Sequence, residues 1–88
     1  MPRFFLHIDN RVGFAHDEEG IELDDLAAAA EQAKEGIRSI ISDEARTGRI
    51  DLNGRVEIAD ESGAIRQVVP FPDAFVIIPP ADRAGSEQ

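Results

Sequence analysis

Six carboxylates, Asp17, Glu18, Glu19, Glu22, Asp24 and Asp25, fall within nine residues and form the densest set of chemistry-bearing groups in the chain. Paired carboxylates can act as acid and base or gather a hard cation. The spacing is not that of a calcium loop, which needs oxygen ligands at positions 1, 3 and 5, glycine at 6 and glutamate at 12. Counted from Asp17, Gly20 comes fourth and Ile21 fifth. A plainer electrostatic role is available. Asp24 and Asp25 suit the positive end of a helix dipole, worth about 0.3–1 kcal/mol each, and Asp17, Glu18, Glu19 and Glu22 form a solvated loop that is also a candidate surface for a partner. His7 and His16 could pair across a hairpin and, with Asp9 or Asp17, make a weak divalent site or a pH-sensitive contact. His7, on a strand among phenylalanines, reads better as a packed, hydrogen-bonded imidazole, and His16 as exposed. A hydroxyl nucleophile would need Ser39, Ser42, Ser62 or Thr47 beside one of these imidazoles, and no local motif surrounds any of them. The seven glycines are scattered singly, so there is no phosphate-binding loop. No catalytic, cofactor-binding or metal-ligating residue is expected, and the chain reads as non-enzymatic.

Composition narrows the partners. With 18 acidic and 9 basic residues the net charge is −9, which argues against direct nucleic-acid binding, because that affinity comes mostly from Lys and Arg neutralising phosphates. Tyr and Trp are absent, so an aromatic platform for single strands is poorly supplied. Arg46, Arg49 and Arg55 do cluster, but Arg46 suits a helix C-terminus and the group reads as structural or rim charge. The absence of cysteine excludes disulfides, thiolate zinc sites and cysteine nucleophiles, and fits a cytoplasmic setting. No apolar run approaches the ~18 residues of a membrane span, and MPRFFLHIDN does not read as a signal peptide. The 88 residues, 42% of them hydrophobic, suffice for one modest core and leave little room for a deep pocket.

These residues must be positioned by a small set of elements. Phe4, Leu6 and Ile8 alternate with Phe5, His7 and Asp9, the period-2 pattern of a strand with one buried face. Asp9-Asn10-Arg11 supplies turn chemistry, and a second strand is expected over 12–16. The register is left open. An odd loop puts Val12 and Phe14 on the face of Phe4, whereas a two-residue Asp9-Asn10 turn puts them beside Phe5 and His7. Ile21 and Leu23 read as a short extended lead into a helix capped by Asp24 or Asp25. Leu26, Ala30, Ala33, Ile37, Ile40 and Ile41 recur at helical spacing up to Arg46-Thr47, with Gly48 as the residue after the cap. Gly36, in mid-helix at a cost of about 1 kcal/mol, is read as a gap for close approach of the sheet, or else as a kink. A second hairpin follows, with strands over 55–60 and 64–69 and Ile58 near Ile65. Its loop, Asp60-Glu61-Ser62-Gly63, fits a type I turn followed by a left-handed glycine. Pro70 and Pro72 stop it.

Together these imply an α+β fold: hairpin, one long amphipathic helix, hairpin, giving a four-stranded antiparallel sheet with the helix on one face. The domain is expected over 1–72, an apolar C-terminal segment over 73–80, and a disordered tail over 81–88. Phe75, Val76, Ile77 and Ile78 form an apolar run before Pro79-Pro80. It either covers the core or docks on another chain, and with the bare sheet face it makes a homodimer the expected state.

The opening MPRFFLHI, the turn Asp17-Glu18-Glu19-Gly20-Ile21-Glu22-Leu23 and the helix start Asp25-Leu26-Ala27-Ala28 resemble a family of short bacterial proteins catalogued as a domain of unknown function. The resemblance covers roughly residues 1–70, implies the element order above, and brings no activity with it. A weaker likeness, in layout and in Asp25, Ala28, Ala29 and Ala30, is to the HicB-type antitoxin domain. It implies a basic protein partner masked by this acidic chain.

Overall fold

The computed structural model describes residues 1–81; the expected disordered tail lies outside the described residues apart from Ala81. The chain forms β1 (Arg3–Asn10), β2 (Phe14–Ala15), β3 (Ile21–Glu22), α1 (Leu26–Arg46), β4 (Gly54–Ala59), β5 (Ile65–Pro70) and a closing 3-10 turn over Phe71–Ala74. All strands pair antiparallel in the order β2-β1-β4-β5, and β3 shares β1's outer edge with β2. The α+β class and the helix packed on a sheet are as expected. The sheet has five strands, not four: Arg3 and Phe4 pair with Glu22 and Ile21, so the lead into the helix is itself a strand.

The first hairpin is shorter than expected. Asn10 and Gly13 exchange backbone hydrogen bonds of 2.9 and 3.2 Å around a two-residue turn, Arg11-Val12, and the Asn10 carboxamide also accepts the Val12 and Gly13 N–H groups. Val12 is thereby spent on the turn and is 95% exposed. Asp9 opposes Phe14, which puts Phe14 on the face of Phe5 and His7, away from the helix.

Local chemistry sets the helix ends. Asp25 Oδ1 accepts the Ala28 N–H at 2.8 Å, a cap worth about 1 kcal/mol, and Gly48 follows the C-cap Thr47 at φ 88°. The buried stripe is Ala29, Ala30, Ala33, Ile37 and Ile41, with Leu26 and Ile40 partly buried beside it. It packs on Phe4, Val56, Ile58 and Val69 from the sheet. Each fully buried isoleucine, such as Ile37 or Ile58, contributes roughly 1.5–3 kcal/mol of transfer free energy. Gly36 does not serve close approach: a Cβ there would meet nothing within 4 Å.

Close approach occurs instead at Gly54, where a Cβ would lie 2.6 Å from Phe71 Cε2. The Phe71 ring, 2% exposed, lies over the start of β4. Arg38 Nε donates to the Ala74 carbonyl at 2.8 Å, tying the 3-10 turn to the helix. The compact domain therefore extends past residue 72, and the free C-terminal arm begins only after Phe75.

The second hairpin has the expected loop. The Gly63 N–H reaches the Asp60 carbonyl at 3.0 Å with Gly63 at φ 88°, and the Asp60 carboxylate accepts from Ser62 and Ala64. Its pairing differs from the expectation. Ile58 opposes Gln67 and Ala59 opposes Ile65, with a register shift between them. That bulge turns Ile65 to the open face.

Candidate functional site

Asp17 is the organising group of the acidic loop. One carboxylate oxygen accepts the Leu6 N–H at 3.1 Å, and the other accepts the Glu19 and Gly20 N–H groups at 3.2 and 3.1 Å. Leu6 lies between the stretches of β1 edge taken by β2 and β3, so this side chain supplies an acceptor where no strand does. Burial opposes ionisation of Asp17, but the Leu6, Gly20 and Glu19 N–H groups, with His7 nearby, outweigh it and hold the carboxyl below its ordinary value of 3.8. Gly20, at φ 69°, sits where a Cβ would come within 2.8 Å of the Phe4 carbonyl and of the Phe5 ring. Arg3 closes the unit, donating to the Glu19 carbonyl at 2.8 Å and meeting Glu22 at 3.3 Å. The acidic turn and the opening strand are thus two halves of one structural device.

The loop carboxylates consequently divide. Asp17 is structural, Glu22 is half-committed to Arg3, and Glu18 and Glu19 present exposed side chains. Glu18 shares a shallow concavity of about 280 Å³ with Asp60 and Glu61 from the second hairpin and with His7 and His16.

The two histidines do pair across the hairpin, with ring centroids 4.3 Å apart and stacked, and Phe14 tilts against His7 at 5.7 Å. His7 is buried, as its strand position indicated, and His16 is exposed. His7 Nδ1 accepts the Asp17 N–H at 3.0 Å, which ties the buried ring to the start of the acidic loop. Asp9 is drawn away into the open-face ion chain Asp9–Arg55–Glu57, with contacts of 2.9 and 3.2 Å. Among the described residues no group of three His, Asp or Glu side chains is placed to hold a metal ion. The hydroxyls of Thr47 and Ser62 donate to the Glu44 carbonyl and the Asp60 carboxylate.

The other end of the molecule is apolar. Ile41 from α1, Ile50 and Leu52 from the following loop, and Phe75, Val76 and Ile77 line a groove of about 350 Å³. Phe75 packs against the core, whereas Val76, Ile77 and Ile78 are 89%, 55% and 83% exposed. The loop behind them is braced by Asp51, which receives Asn53 Nδ2, the Asn53 N–H and Arg11 Nε, with Arg49 at 3.5 Å. Asn53 foremost, and then Arg11, lower the Asp51 carboxyl to about 2 against an opposing effect of burial. Ile50, 60% exposed, was not singled out by sequence reading. It stands outside any periodic element, and only the fold brings it beside the arm.

Residues 3–72 match a family described as a domain of unknown function, DUF6894. The chain belongs to this family. The match spans β1 through the first half of the 3-10 turn, so the Arg3–Asp17–Gly20 device lies inside the DUF6894 region and the exposed arm lies beyond it. No curated protein and no solved structure matches the chain. The likeness to the HicB-type antitoxin domain is not shown by these comparisons. Among the described residues no helix is long and apolar enough to cross a membrane.

Proposed function

We propose that this DUF6894 domain is a small, non-enzymatic protein-interaction module that associates with itself. The observation that carries the reading is the set of large aliphatic side chains left in solvent: Ile50, Val76, Ile77 and Ile78 together at one end, and Ile65 and Val68 on the open sheet face. A chain of 88 residues with a core this small gains from covering such surface, and contiguous exposed apolar patches mark contact sites. The test is light scattering on a size-exclusion column over a concentration series. The expected result is a mass rising from monomer towards dimer, and a monomer throughout would end the reading.

A second reading has its own support. Glu18, Asp60 and Glu61 rim one concavity on a chain of net charge −9, a surface suited to masking a basic protein, as an inhibitor or antitoxin does. Association would then be fast and salt-sensitive. Capture of a basic partner that persists unchanged at about 0.5 M salt would count against it.

A further inference from the structure

We infer that self-association, if the reading above holds, takes place at the arm end of the domain, where Val76 and Ile78 together with Ile50 meet the same surface of a second copy about a two-fold axis. The segment is extended at its start (Phe75 φ −134°, ψ 156°), and exposure rises and falls from one residue to the next along it. Phe75 is half-buried against the core and Ile77 is 55% exposed, while Val76 and Ile78 are the most exposed at 89% and 83%. The outward pair therefore forms a ridge on a base already anchored to the core.

Charge selects a second copy at this end. Two chains of net charge −9 repel, and the surplus is unevenly placed. The carboxylates from Asp17 to Asp25, joined by Asp60 and Glu61, lie at the end holding the helix N-terminus and the β4–β5 turn. At the arm end Arg11, Arg46 and Arg49 offset most of the charge of Asp43, Glu44, Asp51 and Asp73, so that this end is close to neutral. Contact there keeps the two acidic ends as far apart as the fold permits. The open sheet face offers Phe14, Ile65 and Val68 at 53%, 48% and 43% exposure, beside the ion chain Asp9–Arg55–Glu57, which a contact there would have to desolvate.

The chemistry also points to a closed pair. Pro79 and Pro80 have no N–H, so strand pairing cannot propagate past Ile78. An isologous contact then satisfies both copies at once. The exposed patch of Ile50, Val76, Ile77 and Ile78 is far smaller than the roughly 20–30 residues a side of a standard interface. The dimer is accordingly a weak one.

Single-cysteine variants of the full chain, which has no cysteine of its own, test this directly: Val76→Cys on the arm, Val68→Cys on the sheet face and Glu18→Cys at the acidic end. Under mild oxidation Val76→Cys is expected to give a covalent dimer several-fold faster than the other two. Ile78→Asp should raise the dissociation constant of the chain by about tenfold or more while leaving the melting temperature of the dilute monomer unchanged. Added salt should tighten the dimer by screening repulsion. Fastest cross-linking through Val68→Cys would overturn the inference while self-association itself stood, and salt that loosens the dimer would also overturn it. A wild-type chain that stays monomeric would remove both the inference and the reading beneath it.

Discussion

Asp17→Ala removes one side chain and three hydrogen bonds. The Leu6 N–H is part-buried, and stranding such a donor costs about 1–3 kcal/mol. The Gly20 N–H is part-buried as well, while the Glu19 N–H is nearer solvent and recovers part of its loss through water. The sum is about 2–4 kcal/mol, a large share of the roughly 4–13 kcal/mol expected for a domain of this length. Asp17→Asn keeps the size of the side chain and removes one acceptor oxygen. Both carboxylate oxygens are in use, so whichever way the amide turns, its NH₂ faces an N–H donor on one side, and the cost is about 1–3 kcal/mol. Glu18→Ala, next along the chain but exposed, should stay within about 0.5 kcal/mol of wild type. Urea denaturation separates these outcomes. With a slope near 1 kcal/mol/M, Asp17→Ala moves the midpoint by about 2 M or more and Glu18→Ala barely moves it. Equal midpoints for Asp17→Ala and wild type, or equal losses at 17 and 18, would refute the division of the acidic loop into structural and free carboxylates.

Other outcomes follow from single contacts. Gly36→Ala should stabilise the domain by about 1 kcal/mol, raising the melting temperature by roughly 4–8 °C, because its Cβ meets nothing within 4 Å and the helix gains propensity; a loss of stability in calorimetry would restore the close-approach explanation. Gly54→Ala should cost about 2 kcal/mol or more, since its Cβ collides with the buried Phe71 ring, and near-wild-type chemical denaturation would contradict that packing. Asp17, Asp51 and Asp60 all have carboxyls held below 3.8. A depressed folded value makes their contribution full above 3.8 and lost as pH falls through the folded values. An acid titration monitored by circular dichroism should show this loss, with a shallower acid limb for Asp17→Ala.

What was legible in the sequence is what local chemistry determines. Asp25 caps the helix and Gly48 follows it because both act within a turn of their own position. The Asp60–Gly63 loop was readable for the same reason. The arrangements that escaped depend on distant partners. Nothing near Ile21 announces that it will pair with Phe4, and nothing near Gly54 announces the Phe71 ring. Asp17 and Glu18 are neighbours of like charge, and the distant Leu6 N–H helps make one a structural group and leaves the other free. The arm was recognised as apolar, but its division into an inward Phe75 and an outward Val76 required the fold.

The account stands most directly on which surface becomes covered as the protein is concentrated. Backbone amide chemical shifts recorded over a series from dilute to concentrated protein read this residue by residue. Concentration-dependent shifts are predicted at Ile50 and across 75–78, with Phe14, Val68 and Glu18 unmoved. Shifts confined to the sheet face, or spectra that do not change with concentration, would contradict it.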